Sequence, residues 1–270
     1  MHRVGEITRA LSRRTYRKVP ELTVYFWVIK LLSTAMGEST SDYLVYHINP
    51  YVAVVVGCVG LLVSLLIQLR VARYVAAVYW LAVVMVAVFG TMVADVMHVV
   101  LGIPYMVTTV ALAIALTMIF VAWHWSERTL SIHSIDTPRR ELFYWATVMA
   151  TFALGTAAGD MTAATLGLGY LLSAVFFAVL FVIPAIGHRI FGWNAIVAFW
   201  TAYVITRPLG ASIADWLGKP YLGGLGNGDA TVAVVLTILI VIFVAYLAIT
   251  RKDIKADRPL RVAPDVVEAG

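Results

Sequence analysis

Four times along the chain a tryptophan is followed, fifteen residues later, by an aspartate. The segments are WVIKLLSTAMGESTSD from Trp27, WLAVVMVAVFGTMVAD from Trp80, WATVMATFALGTAAGD from Trp145 and WTAYVITRPLGASIAD from Trp200, ending at Asp42, Asp95, Asp160 and Asp215. An aromatic precedes each Trp (Phe26, Tyr79, Tyr144, Phe199). Gly follows at ten residues (Gly37, Gly90, Gly155, Gly210), and a small residue at fourteen (Ser41, Ala94, Gly159, Ala214). The chain holds only eight Trp and nine Asp, so four coincident pairs at one spacing mark an internal repeat.

Each segment lies in an apolar stretch of the length a helix needs to cross a bilayer, about 20 residues. Eight such stretches are read, at residues 22–46, 51–70, 75–100, 105–125, 141–166, 168–191, 194–217 and 230–250. A mean hydropathy of +0.89 with 13% charged residues does not fit a water-soluble domain. The expected fold is all-α: a polytopic membrane helix bundle, eight transmembrane helices from four two-helix repeats at 22–70, 75–125, 141–191 and 194–250. A basic N-terminal segment (1–20) and a basic tail (251–270) flank the membrane domain at 21–250. The N-terminal segment lacks the apolar centre of a cleavable signal peptide. Cys58 is the single cysteine, so disulfides and thiolate metal clusters are excluded.

Of the 20 Lys and Arg, 17 fall on alternate connections and both tails, Lys219 alone falls on the opposite side, and Lys30 and Arg207 lie inside spans. The positive-inside rule then places both termini in the cytoplasm and the protein in the cell (inner) membrane. The basic balance is accounted for by topology, so the expected partners are the lipid bilayer, a small cation and protons, with no nucleic acid; the oligomeric state stays open.

The stretches TAMGESTSDYL, FGTMVAD and RPLGASIADWLGKP resemble a family of bacterial multipass membrane proteins built from four tandem two-helix repeats, each with a characteristic Trp. The resemblance covers roughly residues 20–250. It implies the architecture and supplies no chemistry, because the repeat is one of unknown function.

Fifteen helical residues rise about 22 Å, and fifteen steps of ~100° return Asp to within ~60° of Trp. Four parallel helices, packed through the Gly and small-residue pairs, would bring four carboxylates to one level. Trp27, Trp80, Trp145 and Trp200 are expected as an aromatic belt at the cytoplasmic interface, with lining of a substrate path as the alternative. Aspartates inside spans are costly and mark ion or proton paths.

Lys30, Thr34, Glu38 and Asp42 recur every four residues, on one helix face that must meet protein or water. Arg207 precedes Pro208, where the seventh span is expected to kink. The cation- and proton-binding candidates are therefore Glu38, Asp42, Asp95, Asp160 and Asp215, with Lys30 and Arg207 as counter-charges and Thr34 as a path-lining residue. His47 and His98 could join Asp42 and Asp95 around a metal. The TLGLGY stretch from Thr165 is expected as a tight outer turn and the GGLGNGD stretch from Gly223 as a flexible outer loop.

No Walker A, G-x-S-x-G, H-E-x-x-H or C-x-x-C pattern occurs, and no cofactor is expected beyond a transported metal ion. The expectation is a transporter rather than an enzyme: a secondary carrier of a small cation, divalent metals included, coupled to protons through intramembrane carboxylates. The alternatives are an intramembrane aspartyl enzyme, for which GTAAGD has Ala157 where the Gly-x-Gly-Asp pattern needs Gly, and a sensor or scaffold without transport.

Overall fold

The computed structural model describes residues 18–254. The basic segment 1–17 and the tail 255–270 lie outside the described residues, so the two flanking regions are covered only at 18–20 and 251–254.

Among the described residues there are eight long helices and no strand: α1 Val24–His47, α2 Pro50–Arg70, α3 Ala76–Asp95, α4 Tyr105–Glu127, α5 Pro138–Asp160, α6 Gly169–Ile190, α7 Ala195–Gly218 and α8 Asp229–Thr250. Their bounds follow local chemistry. Thr23, Asn49, Thr137 and Asn194 cap the N-termini of α1, α2, α5 and α7 with side-chain oxygens, and Pro50 and Pro138 occupy first-turn positions that need no N–H donor. Seven helices are long and apolar enough to cross a membrane; α1, carrying Lys30, Glu38 and Asp42, is not among them.

The odd-numbered helices form an inner ring. α1 packs on α3, α3 on α5, α5 on α7, and α7 back on α1. The repeat glycines make this closure possible. A Cβ on Gly37 would lie 2.4 Å from Cβ of Ala87, one on Gly90 2.6 Å from Cβ of Phe152, one on Gly155 2.1 Å from Cγ of Arg207, and one on Gly210 2.4 Å from Cγ2 of Thr34. The four partners stand at one repeat position, seven residues after Trp, each on the next repeat around the ring. One contact is thus made four times with cyclic order, and only the absence of a side chain lets the backbones approach so closely.

Each even helix lies outside and packs on the inner helix of the following repeat: α2 on α3, α4 on α5, α6 on α7, and α8 on α1. Burial separates the two shells: 61–67% of the apolar windows of α3, α5 and α7 are buried, against 17–28% for the even helices. What the outer shell exposes is apolar along its length, with Val59, Leu62, Met118, Val179 and Val241 all more than half exposed. Such a surface suits lipid.

Helix α7 continues through Pro208 without interruption. One expectation changes. GGLGNGD is an ordered cap: Leu225, Gly226, Asn227 and Gly228 donate backbone N–H groups to Trp216, Lys219, Leu217 and Gly218, and Leu222 accepts from Tyr170. Gly223, Gly226 and Gly228 supply the positive φ this path needs. TLGLGY is a turn as expected, entered by one π-helical turn, Met161–Thr165, that continues α5. A matching turn, Val96–Val100, continues α3.

Candidate functional site

Positions three, seven, eleven and fifteen after each Trp point inward and stack in four layers along the ring axis. The first layer holds Lys30, Val83, Val148 and Tyr203; the second, Thr34, Ala87, Phe152 and Arg207; the third, Glu38, Thr91, Thr156 and Ala211; the fourth, the four aspartates.

Arg207 crosses the axis at the middle. It is fully buried and reaches three other inner helices. Its Nε donates to the Phe152 carbonyl at 3.2 Å, Nη1 to the Thr34 carbonyl at 3.0 Å, and Nη2 to Glu38 Oε2 at 3.1 Å, to Thr156 Oγ1 at 2.9 Å and to Thr91 Oγ1. The two threonine hydroxyls donate in turn to Glu38 Oε2, at 3.1 Å from Thr91 and 2.9 Å from Thr156. A buried charge of this kind persists only because partner and hydrogen bonds are both supplied; removing one partner of such a pair typically costs about 3–5 kcal/mol.

Lys30, one layer nearer the Trp end, is not paired. It is fully buried, and its Nζ makes no hydrogen bond to the described residues. The amine lies 3.8 Å from the centre of the Phe152 ring and 4.1 Å from that of Tyr203. Aromatic faces attract an ammonium, but they do not replace a carboxylate.

At the Asp end a cavity of about 140 Å³ opens on the axis, walled by Asp42, Asp95, Asp160 and Lys219 together with Tyr46, Tyr105, Tyr170 and Tyr221. Lys219, four residues past Asp215, turns its ammonium inward and bridges Asp215 Oδ1 at 2.7 Å and Asp42 Oδ2 at 2.9 Å. Burial alone would push this ammonium down. The carboxylates of Asp215, Asp42 and Asp160 outweigh burial and hold it well above its ordinary value, so Lys219 is a fixed positive charge. Asp95 accepts a hydrogen bond from Ser41 Oγ at 3.3 Å, across the α1–α3 seam. One oxygen each from Glu38, Asp160 and Asp215 lies within 4.8 Å of the other two, a spacing that one ion could bridge.

The five carboxylates predicted from the sequence are therefore brought together, although only Asp42, Asp95 and Asp160 wall the cavity; Asp215 adjoins it through Lys219 and Asp160, and Glu38 through Asp160. Thr34 contributes its carbonyl rather than its hydroxyl, which bonds back to the Lys30 carbonyl. Of the two counter-charges, Arg207 pairs with Glu38, whereas Lys30 pairs with no carboxylate. The histidines are not brought to the group: His47 Nδ1 meets the Tyr43 carbonyl and His98 Nδ1 the Ile103 carbonyl, each ring stacking on a tyrosine. The clustered carboxylates are Glu38, Asp160 and Asp215, not Asp42 and Asp95 with histidines.

The tryptophans also differ from expectation. Trp80, Trp145 and Trp200 are 1–5% exposed and close the Trp end from within, packed with Tyr79, Tyr144 and Tyr203; only Trp27 keeps partial exposure. They form a plug rather than a belt, because the ring turns the Trp face inward along with the Asp face.

Lys219, Thr91 and Thr156 were not predicted. Lys219 was the lone basic residue on its side of the chain and stands one helical turn after Asp215, which was the available signal. The threonines share repeat position eleven with Glu38, a coincidence visible only once the register is known to be a layer.

No curated protein and no solved structure matches the chain. The family described as Repeat of Unknown Function (DUF347) matches four times, over residues 25–74, 78–129, 143–190 and 198–253, and each match covers most of one inner helix and the outer helix that follows it. With the four tandem repeats predicted from the Trp–Asp spacing matched in this way, the chain belongs to the family of the Repeat of Unknown Function (DUF347).

Proposed function

We propose that the protein is a proton-coupled carrier of a small cation, with all eight helices spanning the inner membrane, both termini cytoplasmic, and the carboxylate ring facing the outer side. The observation that carries this is the Asp-end cavity: four equivalent positions deliver carboxylates to one level of a closed ring, and a tethered ammonium already sits between two of them. Five carboxylates face two paired cations, Arg207 and Lys219, which leaves negative charge for a transported ion and for protons. The oxygen-only ligand set suits hard cations such as Mg²⁺, Ca²⁺ or Mn²⁺ as substrates.

The middle of the ring supports a carrier rather than an open channel. Arg207 and Glu38 block the axis, and the aromatic plug closes the Trp end. An ion in the cavity can pass only if this block rearranges, which is the requirement of alternating access. The α1 helix is tolerated as a span because its charged stripe is turned onto the ring axis, away from lipid. The aspartyl-enzyme alternative finds less support, since Asp42 and Asp215 are bridged by an ammonium instead of sharing a proton.

The test is flux into proteoliposomes for Na⁺, K⁺, Mg²⁺, Ca²⁺ and Mn²⁺, with an internal pH dye, for wild type beside Asp42→Asn and Asp160→Asn. Cation-dependent proton movement lost in both variants is the expected result. Absence of flux for every ion, or flux indifferent to both substitutions, would overturn the proposal.

A further inference from the structure

Glu141, a buried acid at the Trp end, has no counterpart in the other repeats. Four residues before each Trp stand Thr23, Ala76, Glu141 and Ile196, so only α5 places a charge there. Glu141 is 1% exposed, and a carboxylate so buried persists only where hydrogen bonds and a counter-charge are supplied. Both come from outside α5. Gln68, near the end of α2, donates Nε2 to Glu141 Oε1 at 3.2 Å. Lys18 Nζ meets Oε2 at 2.6 Å and also donates to the Leu69 carbonyl at 3.0 Å.

Lys18 begins the stretch 18–23, which leads into α1. The stretch is held along its length. Thr23 caps the helix, the Glu21 N–H donates to the Asp253 carbonyl at 2.9 Å, and Val19 and Pro20 are buried, Val19 in the same apolar core as Phe26, Trp80 and Trp145. Helices α1 and α5 stand opposite each other in the ring, since α1 packs on α3 and α7 and so does α5. With neighbouring axes about 8–10 Å apart, opposite axes are about 11–14 Å apart. An extended stretch of this length reaches up to ~20 Å, enough to cross that gap. It is a strap over the mouth of the ring, tying α1 to the opposite inner helix.

We infer that this strap is the latch of the Trp end, and that the mouth opens when Lys18 releases Glu141.

The inference rests on the carrier reading, which requires the Trp end to open in turn with the Asp end. Opening separates opposite helices at that end. The strap joins two of them, so its ion pair must break before the aromatic plug beneath can part.

Two features make the contact releasable. The Lys18 side chain is 14% exposed against 2% for that of Glu141, so water reaches the amine and can take the place of the carboxylate. Glu141 keeps the Gln68 donor on its other oxygen when the lysine leaves. Arg207, fully buried and bonded to three other inner helices, has neither route. The middle of the ring is thus pinned by a pair that water does not reach, and its mouth by one that water does.

The test reads the mouth directly and needs no transport. Cys58, the single cysteine, is replaced by Ser, and Val83→Cys is introduced in the Lys30 layer, between Arg207 and the plug. A charged, membrane-impermeant thiol reagent reaches that position only through the Trp end. In detergent, labelling of Val83→Cys is expected to be roughly 10-fold faster with Lys18→Gln or Glu141→Gln, the scale of one lost charge-assisted hydrogen bond, and slow again with Lys18→Arg. Ala53→Cys, buried on α2 beside Val88 and Met92, is the control, because a merely looser bundle would speed labelling at both positions. Equal acceleration at the two positions, or none at Val83→Cys, would overturn the latch and leave the carrier reading standing. Acceleration confined to Val83→Cys in a protein that carries none of the five cations would keep the latch and overturn the carrier reading.

Discussion

The two ends of the ring are built from the same repeat and behave oppositely. At the Asp end the repeated residue is a carboxylate, and three of its four copies, Asp42, Asp95 and Asp160, wall a cavity of water-sized width. At the Trp end the repeated residues are aromatic, and their copies collapse into a solid plug. One rotation operator therefore yields a site or a seal depending only on whether the residue it copies repels itself or packs against itself. The middle layers show the limit of the device. A single buried Arg and a single Glu cannot be copied four times, and here the repeats diverge to Thr34, Ala87, Phe152 and Arg207, and to Glu38, Thr91, Thr156 and Ala211.

The comparison breaks most severely if the middle is disturbed. Glu38→Gln leaves Arg207 buried without a counter-charge and is expected to cost about 3–5 kcal/mol, while Glu38→Gln with Arg207→Met recovers much of that loss. Thermal unfolding in detergent of the two singles and the double, as a double-mutant cycle, measures it; a loss in the double equal to the sum of the two single losses would show the pair to be uncoupled.

Next in size is the ring seam. Gly155→Ala would place Cβ 2.1 Å from Arg207 Cγ and is expected to cost about 1–3 kcal/mol through overpacking. Gly159→Ala, four residues on, meets nothing closer than 3.6 Å and should be near neutral or stabilising by a few tenths of a kcal/mol. The same melting assay compares them. Similar losses in both would mean that the seam does not depend on the ten-residue glycine.

At the Asp end, Lys219→Met frees Asp42 and Asp215, and cation affinity in the cavity should rise at low ionic strength; isothermal titration with Mn²⁺ reads this, and an unchanged affinity would deny that the ammonium competes with the ion. Carboxylates hold the Lys219 amine above its ordinary value, so it stays charged below about pH 10 and adds no titration of its own there. Any pH dependence between pH 6 and 9 in the melting-temperature offset of wild type over Lys219→Met is therefore expected to come from the carboxylates it bridges. The smallest effect belongs to the plug: Trp200→Phe loses one hydrogen bond, Nε1 to the Leu130 carbonyl at 2.9 Å, for about 1 kcal/mol in the same assay.

Helix number, extent and repeat boundaries were legible in the sequence because hydropathy and the Trp–Asp register are both local signals. Observed helices such as Pro50–Arg70 and Gly169–Ile190 lie within a residue or two of the expected 51–70 and 168–191. The convergence of the aspartates was legible too, since equal spacing on parallel helices implies equal depth. The partner of each charge was not. Arg207 bonds to Glu38 rather than to an aspartate, and Lys30 to no carboxylate, because pairing depends on which repeats are neighbours in the ring. That order is set by glycine contacts between segments far apart in sequence. The tryptophans misled because an amphipathic ring at a helix end suits a lipid interface and a bundle plug equally well.

The offset packing of the outer shell has a consequence for synthesis. Because α2 covers α3, α4 covers α5 and α6 covers α7, each helix pair is completed by the segment made just before or just after it. Helix α1 is the exception: its cover is α8, and the backbone link between Glu21 N–H and the Asp253 carbonyl, at 2.9 Å, ties the same two ends together. Of the four inner helices, α1 is thus the one whose cover is made far from it along the chain. Lys30, Glu38 and Asp42 wait for α8, so a truncation that removes the final repeat should strand the first one.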